Sequence, residues 1–224
     1  MTDLYVAENL TKSYGDLVAL DHVSVRVGAG EQVALLGLNG SGKTTMLRIS
    51  AGLLEPTSGK VLVAGKQAGT VDARRAVSYI PDGPVLYDDL SVNEHLEYVA
   101  RMHETADWES QAQDLLERLG LAHRADQLPS TFSRGLRQKV GIALAFVRPF
   151  DVMLVDEPFV GLDTPGRAAL LELLRTSAED GAAVIVSTHQ TEFLRQATRC
   201  LGLRDGTKVY DGKPTAKAEA EILG

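Results

Sequence analysis

The stretch "LLGLNGSGKTTML", Leu35 to Leu47, breaks an apolar run with three glycines, a lysine and two threonines, then returns at once to apolar residues. Within it, Gly37-Leu38-Asn39-Gly40-Ser41-Gly42-Lys43-Thr44 fits the pattern G-x-x-x-x-G-K-[ST] without departure. The context also fits: "QVALLG" before it reads as a buried strand and "TTMLRISAGL" after it as a helix. The glycines let the backbone wrap a phosphate so that N–H groups at Asn39, Gly40, Ser41, Gly42, Lys43, Thr44 and Thr45 point inward, at the positive end of the following helix. Lys43 then reaches the β- and γ-phosphates as a point charge, and the Thr44 hydroxyl is a ligand for Mg²⁺. A strand-to-helix turn with no ligand has no use for Lys and Thr at these two positions.

Working outward, four further β-branched runs read as strands: "KVLVAG" from Lys60, "AVSYI" from Ala76, "DVMLVDE" from Asp151 and "AAVIVST" from Ala182. The near-continuous apolar ones have the pattern of strands buried on both faces of a parallel sheet. "TPGRAALLELLRTSAEDG" reads as a helix with Thr164 as N-cap, Pro165 at the first position and Gly181 as stop. "LYVAENLTKSY" and "VALDHVSVRVG" near the N-terminus read as strands, and "CLGLRDGTKVYDG" as a hairpin turning at Asp205-Gly206. The tail "TAKAEAEILG" fits a short helix or a frayed end equally. From about Leu90 to Val147 the strand signal gives way to helical periods, which predicts a helical sub-lobe over residues 84–148 inserted into an α/β core.

The strand "DVMLVDEP" ends in Asp156 and Glu157. Beside a phosphate loop, Asp156 holds Mg²⁺ and Glu157 acts as general base on the attacking water; alone, the two would be ordinary exposed carboxylates at a strand end. "STHQ" puts His189 at the C-terminal edge of another strand, where ligands of parallel sheets sit and where it can contact a γ-phosphate. In "STFSRGLRQK", Ser133 is a good N-cap, yet Gly135 in the first turn costs about 1 kcal/mol relative to Ala. A glycine there is explained by something approaching the backbone closely, such as a phosphate.

The phosphate loop, the segment Ser133 to Gln138, "DVMLVDEP", "GLD" (Gly161 to Asp163) and "STH" stand in the order found in ATP-binding cassette (ABC) ATPases, and from Tyr14 to His189 the chain resembles that family. The resemblance implies one ABC ATPase domain over residues 1–224: an α/β P-loop NTPase (RecA-like) core with an N-terminal antiparallel β subdomain and the inserted helical subdomain. It implies ATP and Mg²⁺ as ligands. Tyr14 resembles the aromatic that stacks on adenine, Ser133 and Gly135 the signature that contacts the γ-phosphate bound by the opposite subunit, and Asp163 the residue coupling the two sites. The implied working unit is a head-to-tail dimer driving a separate transmembrane permease at the cytoplasmic face of the membrane.

Two departures stand out. Asp82 occupies a position where Gln is usual, and an ionised Asp only accepts hydrogen bonds; it can still face Mg²⁺ or the water. The signature reads Phe132-Ser133-Arg134-Gly135-Leu136, with Arg134 in place of a glycine. Both resemble the exporter branch that serves drugs, polysaccharides and lipids. Val160, before "GLD", stands where a hydroxyl side chain is usual.

Composition bounds the alternatives. A net charge of -7 disfavours a broad nucleic-acid face, and no nucleic acid is expected as partner. A single cysteine, Cys200, fits a reducing compartment. The start "MTDLYVAENL" lacks the basic-then-apolar pattern of a signal peptide, and no apolar run reaches the ~18 residues of a membrane span. Any work at a membrane is therefore expected to go through a partner. A soluble ABC ATPase and a low-turnover nucleotide-dependent regulator are the competing functions.

Overall fold

The computed structural model describes residues 2–188 and 191–223. The chain divides into two compact units: residues 1–79, 150–157 and 175–224 in the first, and residues 80–149 and 158–174 in the second.

The first unit holds two sheets. β1 (Asp3–Tyr14) and β2 (Leu17–Gly28) are long antiparallel partners, with Val6 opposite Arg26 and Tyr14 opposite Leu17. β3 (Gln32–Leu36) belongs to the second sheet and leads into the glycine loop and helix α1 (Lys43–Ser50). β4 (Ser58–Val63) then pairs antiparallel with β1, Val6 against Leu62, and β5 (Lys66–Gln67) closes that four-stranded sheet in the order β2-β1-β4-β5. The expectation that "KVLVAG" lies in the parallel sheet is thus corrected. Its residues alternate, with Val61 and Val63 buried and Lys60 exposed. That is the signature of a strand with one face on the core and one in solvent.

α2 (Val71–Ala76) precedes β6 (Val77–Ile80), and Ala76 of "AVSYI" ends the helix rather than opening the strand. β7 (Val152–Asp156) and β8 (Ala183–Ser187) run parallel, as do β8 and β3, and every residue of these three strands is buried. β9 (Arg199–Arg204) lies parallel on the other side of β3, following α7 (Thr191–Gln196), and β10 (Thr207–Gly212) turns back beside it. The six-stranded order is β10-β9-β3-β8-β7-β6. The tail is a helix, α8 (Ala216–Leu223), with Ile222 fully buried. Between the sheets lies one core that includes Tyr5, Leu20, Val25, Met46, Leu47, Val61, Leu154 and Ile185. Inside it the Tyr5 hydroxyl meets Ser50 Oγ at 2.8 Å, and burial pushes the Tyr5 phenol up to about 12.

The second unit is helical. α3 (Val92–Met102) starts in a capping box: the Ser91 hydroxyl accepts from Glu94 N and the Glu94 carboxylate from Ser91 N. α4 (Trp108–Arg118) and α5 (Arg134–Phe146) complete it, with Leu96, Ala100, Leu115, Leu116, Val140 and Ala143 buried. α6 (Thr164–Glu179) begins in this unit. Its cap is Asp163, whose Oδ1 accepts from Gly166 N at 3.0 Å, so Thr164 is the first helical residue and not the cap. Among the described residues, no helix is long and apolar enough to cross a membrane.

Candidate functional site

Three parallel strands deliver the first site. In the sheet Leu35 pairs with Ser187 and Ser187 with Asp156, so the ends of β3, β8 and β7 lie side by side at one edge. Ligands of parallel sheets gather at this carboxyl edge. From Leu36 the chain enters the glycine loop. Gly42, at φ 103°, is the left-handed residue just before α1, and a Cβ there would lie 2.5 Å from the Ala19 carbonyl oxygen. Ser41 N donates to the Leu38 carbonyl at 3.1 Å. The β9–β10 turn braces the loop from behind: Gly206 N donates to the Ser41 carbonyl at 3.2 Å, while the Gly206 carbonyl accepts from Asp21 N at 2.9 Å. The Asp205-Gly206 turn legible in the sequence therefore supports the phosphate loop as well as reversing the chain.

Lys43 is 6% exposed and its ammonium donates to the carbonyls of Gly37 at 2.6 Å and Leu38 at 3.2 Å. Burial lowers its pKa from the ordinary lysine value, and the Glu157 and Asp156 carboxylates oppose that shift. Asp156 is 2% exposed, which rules out a pair of exposed strand-end carboxylates, and among the described residues its Oδ1 has no hydrogen-bond partner. The Ser41 hydroxyl is likewise buried with no partner. Glu157 takes a left-handed backbone, φ 44°, with its N–H bonded to the Ser187 carbonyl at 2.9 Å. A non-glycine residue in that region costs of order 1–3 kcal/mol and marks a position fixed by its surroundings.

Tyr14, Asn39, Gly40, Ser41, Gly42, Lys43, Thr44, Thr45 and Glu157 line one cavity of about 440 Å³, together with Leu17 and Ala19. The Tyr14 ring is half exposed and carries the Lys12 ammonium 5.0 Å from its centroid. An anion-loving loop, a flat aromatic face and two carboxylates at one strand end make a site for a nucleotide polyphosphate. The residues also fit a magnesium ion. Asp156 offers a buried oxygen that no described residue satisfies, and Thr44 adds an exposed hydroxyl. Among the described residues no group of three or more His, Cys, Asp or Glu could hold a metal by itself. That suits Mg²⁺, which uses one or two carboxylates plus phosphate oxygens and water. His189 lies outside the described residues.

The other sequence-picked residues form a cluster of their own in the second unit. Ser133 caps α5, accepting from Leu136 N at 3.4 Å. Gly135 has a local structural reason that the sequence hid: a Cβ there would lie 2.3 Å from the Gly161 carbonyl oxygen. What approaches its backbone closely within the chain is another backbone. Asp163 pairs with Lys139 Nζ at 2.9 and 3.0 Å. Hydrogen bonding from Lys139, then from Gly166 N, holds the Asp163 carboxyl below the ordinary aspartate value. Lys139 was missed from sequence; the signal was a lysine between Gln138 and Val140 on the apolar run of α5, all three buried here. Asp82 lies in this cluster: it accepts from Arg134 Nη2 at 2.9 Å. The two departures noted in the sequence are thus each other's partner.

Residues 20–160 match the family described as ABC transporter. The chain is 37% identical over 211 residues to the SkfA peptide export ATP-binding protein SkfE of Bacillus subtilis (strain 168), covering 93% of this chain and 88% of that one. It is similar to the solved structure of an ATP-binding subunit of an ABC transporter, with 34% identity and a TM-score of 0.90 over 94% of this chain and 90% of that one. It is also similar to a dimeric ATP-binding cassette in a post-hydrolysis state bound to ADP and Pi, with 28% identity and a TM-score of 0.86, covering 95% and 99%.

Proposed function

The chain belongs to the ABC transporter family and is an ATP-binding ATPase subunit of that kind, and from that premise we propose that it drives an exporter, closing as a head-to-tail dimer on ATP and passing the motion to a separate transmembrane permease. Its place is the cytoplasmic face of the membrane, held there through the permease. The observation that carries the hydrolytic part is the buried, unpartnered Asp156 oxygen beside Glu157, which lines the phosphate-loop cavity. The export direction is supported by the peptide-export relative and by the Asp82 and Arg134 departures.

The roles follow from chemistry at named atoms. Backbone N–H groups from Asn39 to Thr45 and the start of α1 receive the phosphates. The Lys43 ammonium exchanges its loop carbonyls for β- and γ-phosphate oxygens, a stronger, charge-assisted contact. Tyr14 stacks on the base. The Thr44 hydroxyl and the Asp156 carboxylate would hold Mg²⁺, which would supply positive charge against the phosphates. Glu157 would take a proton from the water that attacks the γ-phosphorus as the bond from that phosphorus to the β–γ bridging oxygen breaks and ADP leaves, and His189 would contact the γ-phosphate. Ser133, Gly135 and Asp163 meet the second copy's nucleotide and loop.

The test is a trap. Glu157→Gln is expressed in its native cells, membranes are solubilised with ATP and Mg²⁺, and co-purifying proteins are identified by mass spectrometry. A stoichiometric polytopic membrane protein is expected. Only soluble partners, with the bait absent from membranes, would move the reading to a soluble ABC ATPase or a regulator.

A further inference from the structure

The segment 81–90 runs from β6 to α3 as neither strand nor helix. Two helices hold it. Near its start it lies on α5: Asp82 accepts from Arg134, and a Cβ on Gly141 would come within 2.8 Å of the Pro84 Cβ. Farther on it is held to α3 by a histidine that none of the roles above uses. His95 is 3% exposed, and both of its ring nitrogens are engaged. Nδ1 lies 2.8 Å from the Ser91 carbonyl oxygen, and Nε2 lies 2.9 Å from the Tyr87 backbone nitrogen. A carbonyl only accepts and a backbone N–H only donates. One arrangement satisfies both: the proton sits on Nδ1, and Nε2 is bare. A proton on Nε2 would face the Tyr87 N–H donor to donor and leave that amide without its acceptor. Ser91 is itself fixed by the capping box with Glu94, so the ring ties Tyr87 to an anchored helix start.

The same face of α3 continues outward. Ser91, His95, Tyr98 and Met102 fall on one stripe of the helix. The Tyr87 ring lies across it, 5.9 Å from the His95 ring and edge-on to Tyr98 at 5.8 Å. Tyr87, Tyr98 and Met102 are exposed, so the outer half of the stripe is an apolar patch, and the exposed Asp88 and Asp89 come next in the chain after Tyr87.

We infer that His95 is a positioning residue: with its proton on Nδ1 it pins the Tyr87 backbone to α3 and so gives the patch of Tyr87, Tyr98 and Met102 one fixed shape. What the patch serves rests on the exporter reading above, in which the partner is the permease. Cytoplasmic loops of membrane proteins carry an excess of Lys and Arg, which suits a patch with Asp88 and Asp89 beside it. A segment ordered in advance loses little freedom on docking, so the pin favours the complex without touching the partner. His95 acts only through Tyr87.

The pin is tested first in the wild-type chain, by nitrogen NMR of ring-labelled histidine at neutral pH. His95 is expected with Nδ1 protonated and Nε2 bare, the reverse of the tautomer that free histidine favours; a protonated Nε2 overturns the inference. Two variants then separate hydrogen bonding from the filling of space. His95→Phe keeps a ring and loses the acceptor, whereas His95→Gln keeps an amide oxygen in reach of the Tyr87 N–H. Amide exchange at Tyr87 is expected about tenfold faster in His95→Phe, the size of one lost hydrogen bond, and within about threefold of wild type in His95→Gln. Equal exchange in the two variants overturns the pin. Thermal unfolding checks each fold, and the wild-type NMR decides if His95→Phe is unstable. Both variants are then placed in the Glu157→Gln trap, and co-purifying permease is quantified against bait. His95→Phe is expected to retain several-fold less permease than His95→Gln while binding a fluorescent ATP analogue equally well; equal recovery overturns the role in docking. If Glu157→Gln alone brings down no membrane protein, the exporter reading falls and takes the docking role with it, while the NMR and exchange results separately uphold or overturn the pin.

Discussion

The two clusters of this chain are built by opposite means. At the strand ends, Lys43 and Asp156 are buried, the glycine loop is wired by backbone hydrogen bonds, and the loop lines one cavity with Tyr14 and Glu157. At the start of α5, three exposed charges and one buried lysine are held by ion pairs: Arg134 to Asp82, and the buried Lys139 to Asp163. The first is preorganised, so its energetics are set before any ligand arrives. The second is an open surface whose charges are parked on one another.

The largest effect expected is at the strand ends. Glu157→Gln should lower steady-state ATP turnover by about 10²–10⁴-fold while ATP binding stays within a few-fold of wild type. Turnover within tenfold of wild type would remove Glu157 from the base role. Next comes the loop itself. Gly42→Ala forces a Cβ to 2.5 Å from a carbonyl oxygen at φ 103°, whereas Gly40→Ala, at φ 84°, meets nothing within 4 Å. Both carry backbone strain of about 1–3 kcal/mol, but only Gly42→Ala adds the clash. Calorimetric ATP affinity should therefore fall much further for Gly42→Ala, and equal losses would contradict a loop fitted that tightly.

Smaller effects are expected in the second cluster. Asp163→Ala leaves the Lys139 ammonium, 7% exposed, without its carboxylate, at a cost of about 1–3 kcal/mol seen in denaturant unfolding. Lys139→Met in that background should recover part of it. The smallest effect is on pH dependence. The Asp163 carboxyl is held below its ordinary value, about 3.9 when unfolded, so its contribution is fully present above that pH and is lost as pH falls through the folded value. The thermal-midpoint gap between wild type and Asp163→Asn should stay flat from pH 7 to 5 and close below about 4. A gap that instead closes above pH 5 would mean another group is titrating.

The first cluster was largely legible in the sequence. Its loop is contiguous, and the apolar runs leading to Gly37, Asp156 and Ser187 are short enough to be only buried strands. The second was legible as a list of residues but not as an arrangement. Nothing local pairs Asp82 with Arg134 or sets the Gly161 carbonyl against Gly135, because those contacts are made by the tertiary fold. "KVLVAG" was assigned to the wrong sheet for a related reason. A four-residue apolar run has too little length to tell one buried face from two, and its partner, β1, lies far upstream. Thr164 lost the cap to Asp163 by a single position, the scale on which helix ends are commonly misjudged.

The position of β3 has a consequence for how the protein is made. The strand that carries the phosphate loop is synthesised early, yet both its neighbours, β8 and β9, come from residues 183–204. Until those residues leave the ribosome, β3 has no strand to pair with and the loop has no brace at Gly206. Nucleotide cannot rescue a partly made chain, since its binding loop is among the last pieces to be secured. Folding of this unit must close its longest loops before its central strand is rewarded, which makes it slow by topology and leaves an apolar strand open to wrong partners meanwhile. Premature termination anywhere between the end of α1 and about residue 200 should yield a chain that keeps the whole glycine motif and binds no ATP.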